Sequence, residues 1–218
     1  MYQHQFSAGI HCTVQLGKIV CIGRNYAAHA RELSNPVEST PLLFMKPATA
    51  AVPMAGDFSI PRDRGAVHHE LEMAVLIGAP LTRATREQAR AAIAGVGLAL
   101  DLTLREVQDE LKRKGHPWER AKAFDGACPL SAFVSPEGVE LQGLDIELRR
   151  NGVVQQSGNT ADMLFPVLDL LVEASGVFTL LPGDVVLTGT PAGVGPLQPG
   201  DQLSASLGDL LEVESRVV

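Results

Sequence analysis

Short apolar runs of strand length, separated by Gly, Pro, Asn and Asp, recur along most of this chain, and helical periodicity is confined to a few stretches. The runs predict strands at 18–22, 42–45, 67–77, 96–102, 131–134, 145–150, 185–187, 202–207 and 211–217. Helices are predicted at 25–33, 86–93, 104–114 and 161–174, the last with Thr160 as its N-cap. Thr103 and Glu106 have the spacing of a capping box, which would open the third helix directly behind a strand and leave Asp101 at the junction. Asn151-Gly152, between DIELRR and VVQQ, signals a type I′ hairpin, because both residues accept positive φ. The expected class is α+β, mostly β, with a few short helices. With no repeat and no long linker, one domain is expected.

Composition narrows the function classes. The 21 Gly and 14 Pro fit a turn-rich β protein. A net charge of −7 without a basic run argues against nucleic acid as a partner. The longest apolar stretch, 91–100, is about half of what a membrane-spanning helix needs. The opening MYQHQFSAGIHC lacks a basic segment followed by an apolar one, so neither membrane nor export is expected, and the cytoplasm is. Cys12, Cys21 and Cys128 form no C-x-x-C pair and are expected to be reduced thiols.

The segment VHHELEMAVLI sets two carboxylates in a β-type apolar run. On a strand, Glu70 and Glu72 face the same way with Cα atoms about 6.6 Å apart. Two like charges beside a buried run call for protonation or a cation. By itself the pattern fits better with glutamates on the solvated face of a half-exposed strand and with His68 and His69 as surface residues. Asp101 ends the nearly charge-free run AAIAGVGLAL, at the mouth of what should be a core strand. Three carboxylates without a cysteine would suit a hard divalent ion such as Mg2+ or Mn2+, or Ca2+, better than Zn2+.

Six segments in order, GRNYAAHARE, LLFMKP, HHELE, LALDLTLREVQ, KAFDGACPL and GDVVLTGTPAGVGPL, resemble the fumarylacetoacetate hydrolase family, and its short acylpyruvase and oxaloacetate decarboxylase branch most of all. The resemblance implies a mixed, mostly β roll of the family's C-terminal-domain type over 18–218, preceded by a 1–17 extension, and a homodimer. It implies Mg2+ or Mn2+ held by Glu70, Glu72 and Asp101, with Lys122 as an active-site cation. It also implies that His29 and Glu32 form a catalytic pair over the metal, whose i, i+3 spacing puts both on one helix face. Without the resemblance they read as an exposed local pair. The longer fumarylacetoacetases carry an extra N-terminal domain, so fumarylacetoacetate itself is not the expected substrate.

Four more residues are expected to touch substrate: Gln108, Arg24, Tyr26 and Thr190, the last as a hydroxyl donor in a Gly-containing turn that lets backbone amides approach an anion. Lys46 could also bind a carboxylate, although a lysine at a strand end is usually just solvated. The function implied is divalent-metal-dependent hydrolysis of the carbon–carbon bond of acylpyruvates through a pyruvate enolate. Decarboxylation or keto–enol tautomerisation of oxaloacetate at the same site is the alternative, and a non-catalytic, metal-dependent dicarboxylate binder is the reading from another class.

Overall fold

The computed structural model describes residues 2–7, 9, 14–33 and 39–218. In chain order the elements begin with β1 (Lys18–Gly23), α1 (Ala27–Glu32), β2 (Leu42–Pro47), β3 (Ala51–Pro53), β4 (Gly56–Phe58), β5 (Val67–His69) and β6 (Leu71–Ile77). They continue with α2 (Arg86–Ala91), β7 (Ile93–Leu100), β8 (Thr103–Leu104), α3 (Arg105–Lys114), α4 (Glu119–Lys122) and β9 (Cys128–Leu130). The last third holds β10 (Asp145–Arg150), β11 (Val153–Asn159), α5 (Val167–Val177), β12 (Val185–Leu187), β13 (Gly195–Pro196), β14 (Gln202–Leu207) and β15 (Leu211–Val217).

Strand predominates, and the strands form three sheets. A seven-stranded mixed sheet runs β2-β1-β12-β6-β7-β9-β3, a five-stranded one β11-β10-β14-β15-β4, and a three-stranded one β13-β5-β8. The central strands β6 and β7 are buried on both faces, as a near-continuous apolar run requires. α5 buries Val167, Leu170, Leu171 and Ala174, one stripe at i, i+3, i+4, i+7. Residues 2–7 also join the core: His4 is fully buried, with Nε2 2.9 Å from the Gly183 carbonyl.

Where the elements depart from expectation, a side chain has intervened. The single strand expected at 67–77 breaks at Glu70, so that β5 and β6 lie in different sheets. The strand expected at 131–134 lies at β9, because Ser131 Oγ accepts the Leu98 N–H at 2.8 Å and leaves Phe133 and Val134 in isolated bridges. The helix expected from Ala161 starts at Val167. Pro166 forces extended backbone on the residue before it, and Thr160 Oγ1 accepts from Gly143 and Leu144 N–H, at 2.9 Å each, instead of capping. Thr103 does not cap α3 either. It lies in β8 and its hydroxyl donates to Asp101 O at 3.0 Å. The capping box occurs at Thr85 and Gln88, on α2.

The Asn151-Gly152 hairpin forms as expected, with φ of 53° and 79°. Cys21 and Cys128 are buried free thiols, and Cys12 lies outside the described residues. Among the described residues no helix is long and apolar enough to cross a membrane.

Gly183, at φ +91°, makes the turn that feeds β12, and a Cβ there would stand 2.2 Å from the Gln15 carbonyl. Gly183→Ala should therefore lower unfolding free energy by at least about 2 kcal/mol in a denaturant titration, against about 1 kcal/mol at Gly138, which shares the positive φ, at +72°, but where the added methyl meets nothing within 4 Å.

Candidate metal centre

Strand register builds the centre. β6 and β7 pair antiparallel with Leu71 opposite Leu100, so the residues just beyond that pair, Glu70 and Asp101, come face to face, and Asp101 N–H donates to Glu70 O at 2.8 Å. Glu72 follows Glu70 by one strand period and shares its side. Each of the three carboxylates offers one oxygen, and these atoms lie within 4.8 Å of one another. Their residues are only 5%, 1% and 1% exposed for Glu70, Glu72 and Asp101, so the solvated-strand alternative does not hold.

Three cations from three other elements neutralise part of this charge. Lys122, at the end of α4, donates to Glu70 Oε2 at 2.8 Å and to Asp101 Oδ2 at 2.6 Å. Arg105, in the first turn of α3, pairs with Glu70 Oε1 and donates to Gln108 Oε1 at 2.7 Å. Lys46, on β2, is fully buried rather than solvated. Its Nζ lies 2.7 Å from Asp101 Oδ1, an ion pair without hydrogen-bonding geometry, and donates to the carbonyls of Leu102 and Lys122. Asp101 Oδ1 is buried and accepts no hydrogen bond.

No ion pair reaches Glu72 among the described residues; its Oε2 accepts from Gly189 N–H at 2.6 Å. Burial opposes ionisation of Glu70, yet Lys122 and Arg105 together hold its carboxyl well below the usual range. Burial, followed by the charges of Asp101 and Glu70, pushes Glu72 well above that range. Burial would lower Lys122, but Asp101 and Glu70 raise it on balance. A divalent ion fits this arrangement, because the donors are all hard oxygens, one is a buried oxygen without a hydrogen bond, and one carboxyl cannot ionise cheaply without another cation.

The triad stands on the wall of a small cavity. His29, Arg24, Gln108, Lys122 and Thr190 line it as well. His29 Nδ1 lies 3.3 Å from Glu32 Oε2, and Gly193 N–H donates to both Glu32 oxygens at 3.0 and 3.2 Å, so the pair is tied to the fold rather than loose on the surface. Arg24 holds φ of +60°, a left-handed conformation uncommon outside glycine.

Two residues sit differently from expectation. Tyr26 is not on the cavity wall: its ring is buried, its hydroxyl has no hydrogen-bond partner, and burial together with the nearby Glu72 charge pushes the phenol up. Thr190 is on the wall, but its hydroxyl donates to Leu71 O at 2.7 Å and accepts from Gln156 Nε2 at 2.7 Å, so its proton is committed inside the protein. The functional cation not singled out from sequence is Arg105. Its signal was the i, i+3, i+7 stripe of Arg105, Gln108 and Lys112 on the helix that follows Asp101, all three on the cavity wall.

Residues 18–218 match the family described as fumarylacetoacetate (FAA) hydrolase, C-terminal. The chain belongs to the fumarylacetoacetate hydrolase family. It is 50% identical over 208 residues to the oxaloacetate tautomerase YcgM of Escherichia coli, covering 94% of this chain and 95% of that protein. It is 41% identical over 200 residues to the human mitochondrial oxaloacetate tautomerase FAHD1, covering 91% and 90%. The crystal structure of fumarylpyruvate hydrolase from Pseudomonas aeruginosa, in complex with Mn2+ and pyruvate, matches with a TM-score of 0.93 at 33% identity, covering 100% of this chain and 95% of that one. A fumarylacetoacetate hydrolase-family fold with a triad of this kind, alongside a relative that holds Mn2+, points to a divalent ion.

The raised Glu72 pKa has a thermodynamic consequence of definite sign. The folded metal-free protein retains a proton that the unfolded chain releases near the ordinary glutamate range, so this residue's contribution to stability is full below that range and declines as pH rises above it. Metal-free protein should lose melting temperature with rising pH more steeply than Glu72→Gln does. Mg2+ binding should release about one proton, read by calorimetry in buffers of different ionisation enthalpy.

Proposed function

We propose that this protein is a divalent-metal-dependent enzyme that interconverts the keto and enol forms of oxaloacetate, using Mg2+ or Mn2+ held by Glu70, Glu72 and Asp101. What carries the reading is the near-full-length 50% identity to an oxaloacetate tautomerase in a chain that gathers three buried carboxylates beside a His–Glu pair. When bound, the ion would supply Lewis-acid stabilisation for charge developing on the 2-oxo oxygen.

The remaining chemistry belongs to the chain's own side chains. With Nδ1 turned to Glu32, His29 has Nε2 as its other ring nitrogen for proton transfer, and Glu32 orients the ring. In the keto-to-enol direction the C3–H bond breaks, its proton passes to His29 Nε2, the C2–C3 double bond forms, the oxygen on C2 takes a proton from solvent, and His29 gives its proton back to solvent. The reverse order regenerates the ketone. Lys122 bridges Glu70 and Asp101, favours the ionised form of Glu70, and adds positive charge next to the substrate's carboxylate end. Gln108, held by Arg105, presents its amide to the substrate. Arg24 and Lys112, on the outer part of the wall, meet the second carboxylate of a dicarboxylic acid. Phe44, Trp118 and Leu33 narrow the cavity with apolar surface.

A second reading, hydrolysis of acylpyruvates, draws on the likeness to fumarylpyruvate hydrolase at 33% identity. There His29 would deprotonate water rather than C3, and the two reactions would share every other group. The lower identity puts it second.

Ultraviolet absorbance of enolised oxo acids separates the readings. Fresh oxaloacetate enol should lose absorbance faster with enzyme and Mg2+ than without, and not with Glu70→Ala, while acetylpyruvate and fumarylpyruvate are consumed much more slowly. Rapid consumption of an acylpyruvate with no effect on oxaloacetate would overturn the proposal, and binding without turnover of any of them would leave a binder. His29→Ala should lower kcat for oxaloacetate by about 100-fold or more. Lys112→Met should raise KM for oxaloacetate by about tenfold and leave KM for the monocarboxylate acetylpyruvate near its original value, since only the former has a distal charge to lose.

A further inference from the structure

A closed polar network stands behind the cavity wall, centred on Gln156 in β11. Gln156 is fully buried, which costs a carboxamide heavily unless its bonds are made. Its Oε1 accepts from Leu71 N–H at 2.9 Å and from His69 Nδ1 at 3.0 Å. Its Nε2 donates to Thr190 Oγ1 at 2.7 Å and to Pro191 O at 2.9 Å. Because a backbone N–H can only donate, Leu71 determines which end of the carboxamide is oxygen, and that in turn puts the His69 proton on Nδ1. Thr190 closes the ring by donating to Leu71 O at 2.7 Å. The ring joins β11, the residue between Glu70 and Glu72, and the loop 188–193.

That loop holds two site carboxylates by backbone alone, Glu72 through Gly189 N–H and Glu32 through Gly193 N–H. It also lies hard against β11. A Cβ on Gly193 would stand 1.9 Å from Gln155 O, and one on Gly158 would stand 2.7 Å from the Pro191 side chain. Any shift of the loop against β11 therefore moves the donors of Glu72 and Glu32 together.

We infer that Gln156 is a positioning residue, whose carboxamide sets where the loop 188–193 stands relative to Leu71 and thereby aligns Glu72 towards the metal and Glu32 towards His29. The inference rests on the proposed reading of the triad as divalent-ion ligands. Gln156 itself does not line the cavity, so it acts through the two glycines.

The test uses the whole protein, freed of metal and titrated with Mg2+ alone, followed by calorimetry and by the fluorescence of Trp118, the one tryptophan and a cavity-wall residue. Gln156→Glu retains an oxygen for Leu71 and loses the donor to the loop, Gln156→Leu loses both, and Thr190→Val removes the loop-side acceptor together with the hydroxyl that donates to Leu71 O. Gln155→Ala, next along the strand, is the control. Both Gln156 variants should weaken Mg2+ binding by about tenfold or more and, at saturating Mg2+, lower kcat for oxaloacetate by a similar factor with little change in KM. Thr190→Val should follow in the same direction, and Gln155→Ala should match the parent. If the Leu variant does not fold, the Glu and Val variants carry the comparison. Variants that melt earlier yet bind Mg2+ and turn over like the parent would overturn this inference alone. A parent that binds no Mg2+ would overturn the metal reading along with it.

Discussion

Three carboxylates within 4.8 Å of one another, in a place nearly closed to water, repel one another strongly enough that the surroundings must be built to tolerate them. Lys122 bridges Glu70 and Asp101, Arg105 takes the other oxygen of Glu70, and Lys46 lies against Asp101 from a strand that is distant in sequence. Each cation is itself buried, so removing one would leave an uncompensated charge rather than merely a missing bond. The remaining imbalance falls on Glu72, which is where a divalent ion would relieve it.

The fold holds this arrangement at its most buried strands. Glu72 lies in β6, Glu70 just before it and Asp101 just after β7, and the pairing of Leu71 with Leu100 determines that they meet. A slip of one residue would turn Glu70 and Glu72 to the other face. Groups proposed for proton transfer and substrate recognition lie instead on helices: His29 and Glu32 on α1, Gln108 and Lys112 on α3. Metal-site geometry is thus set by sheet register, whereas the chemistry next to it rests on elements that relatives can vary without disturbing the sheet. This fits a family in which tautomerase and hydrolase names accompany one fold.

Much of this was legible locally. The β-rich class, the I′ turn at Asn151-Gly152, the shared side of Glu70 and Glu72, and the position of Asp101 at the end of an apolar run all follow from patterns a few residues long, where side-chain period and turn chemistry act directly. Local rules failed where a competing hydrogen bond outbid them. Thr103 and Thr160 look like helix caps, but Asp101 O in one case and the Gly143 and Leu144 amides in the other claim their hydroxyls. Ser131 displaces a ladder bond that pattern alone would keep.

What the chain's order of residues determined by itself was therefore the inventory: which segments are strands, which carboxylates share a side, and which family the motifs belong to. Tertiary structure alone decided the convergence. Lys46 is buried beneath Asp101, Arg105 reaches Glu70 across 35 positions, Tyr26 lies behind the wall, and Gln156 links Leu71 to a loop 34 residues further on. The physical reason is that ion pairing and buried hydrogen bonding depend on distance in space and on exclusion of water, and neither is encoded in the spacing of residues along a chain.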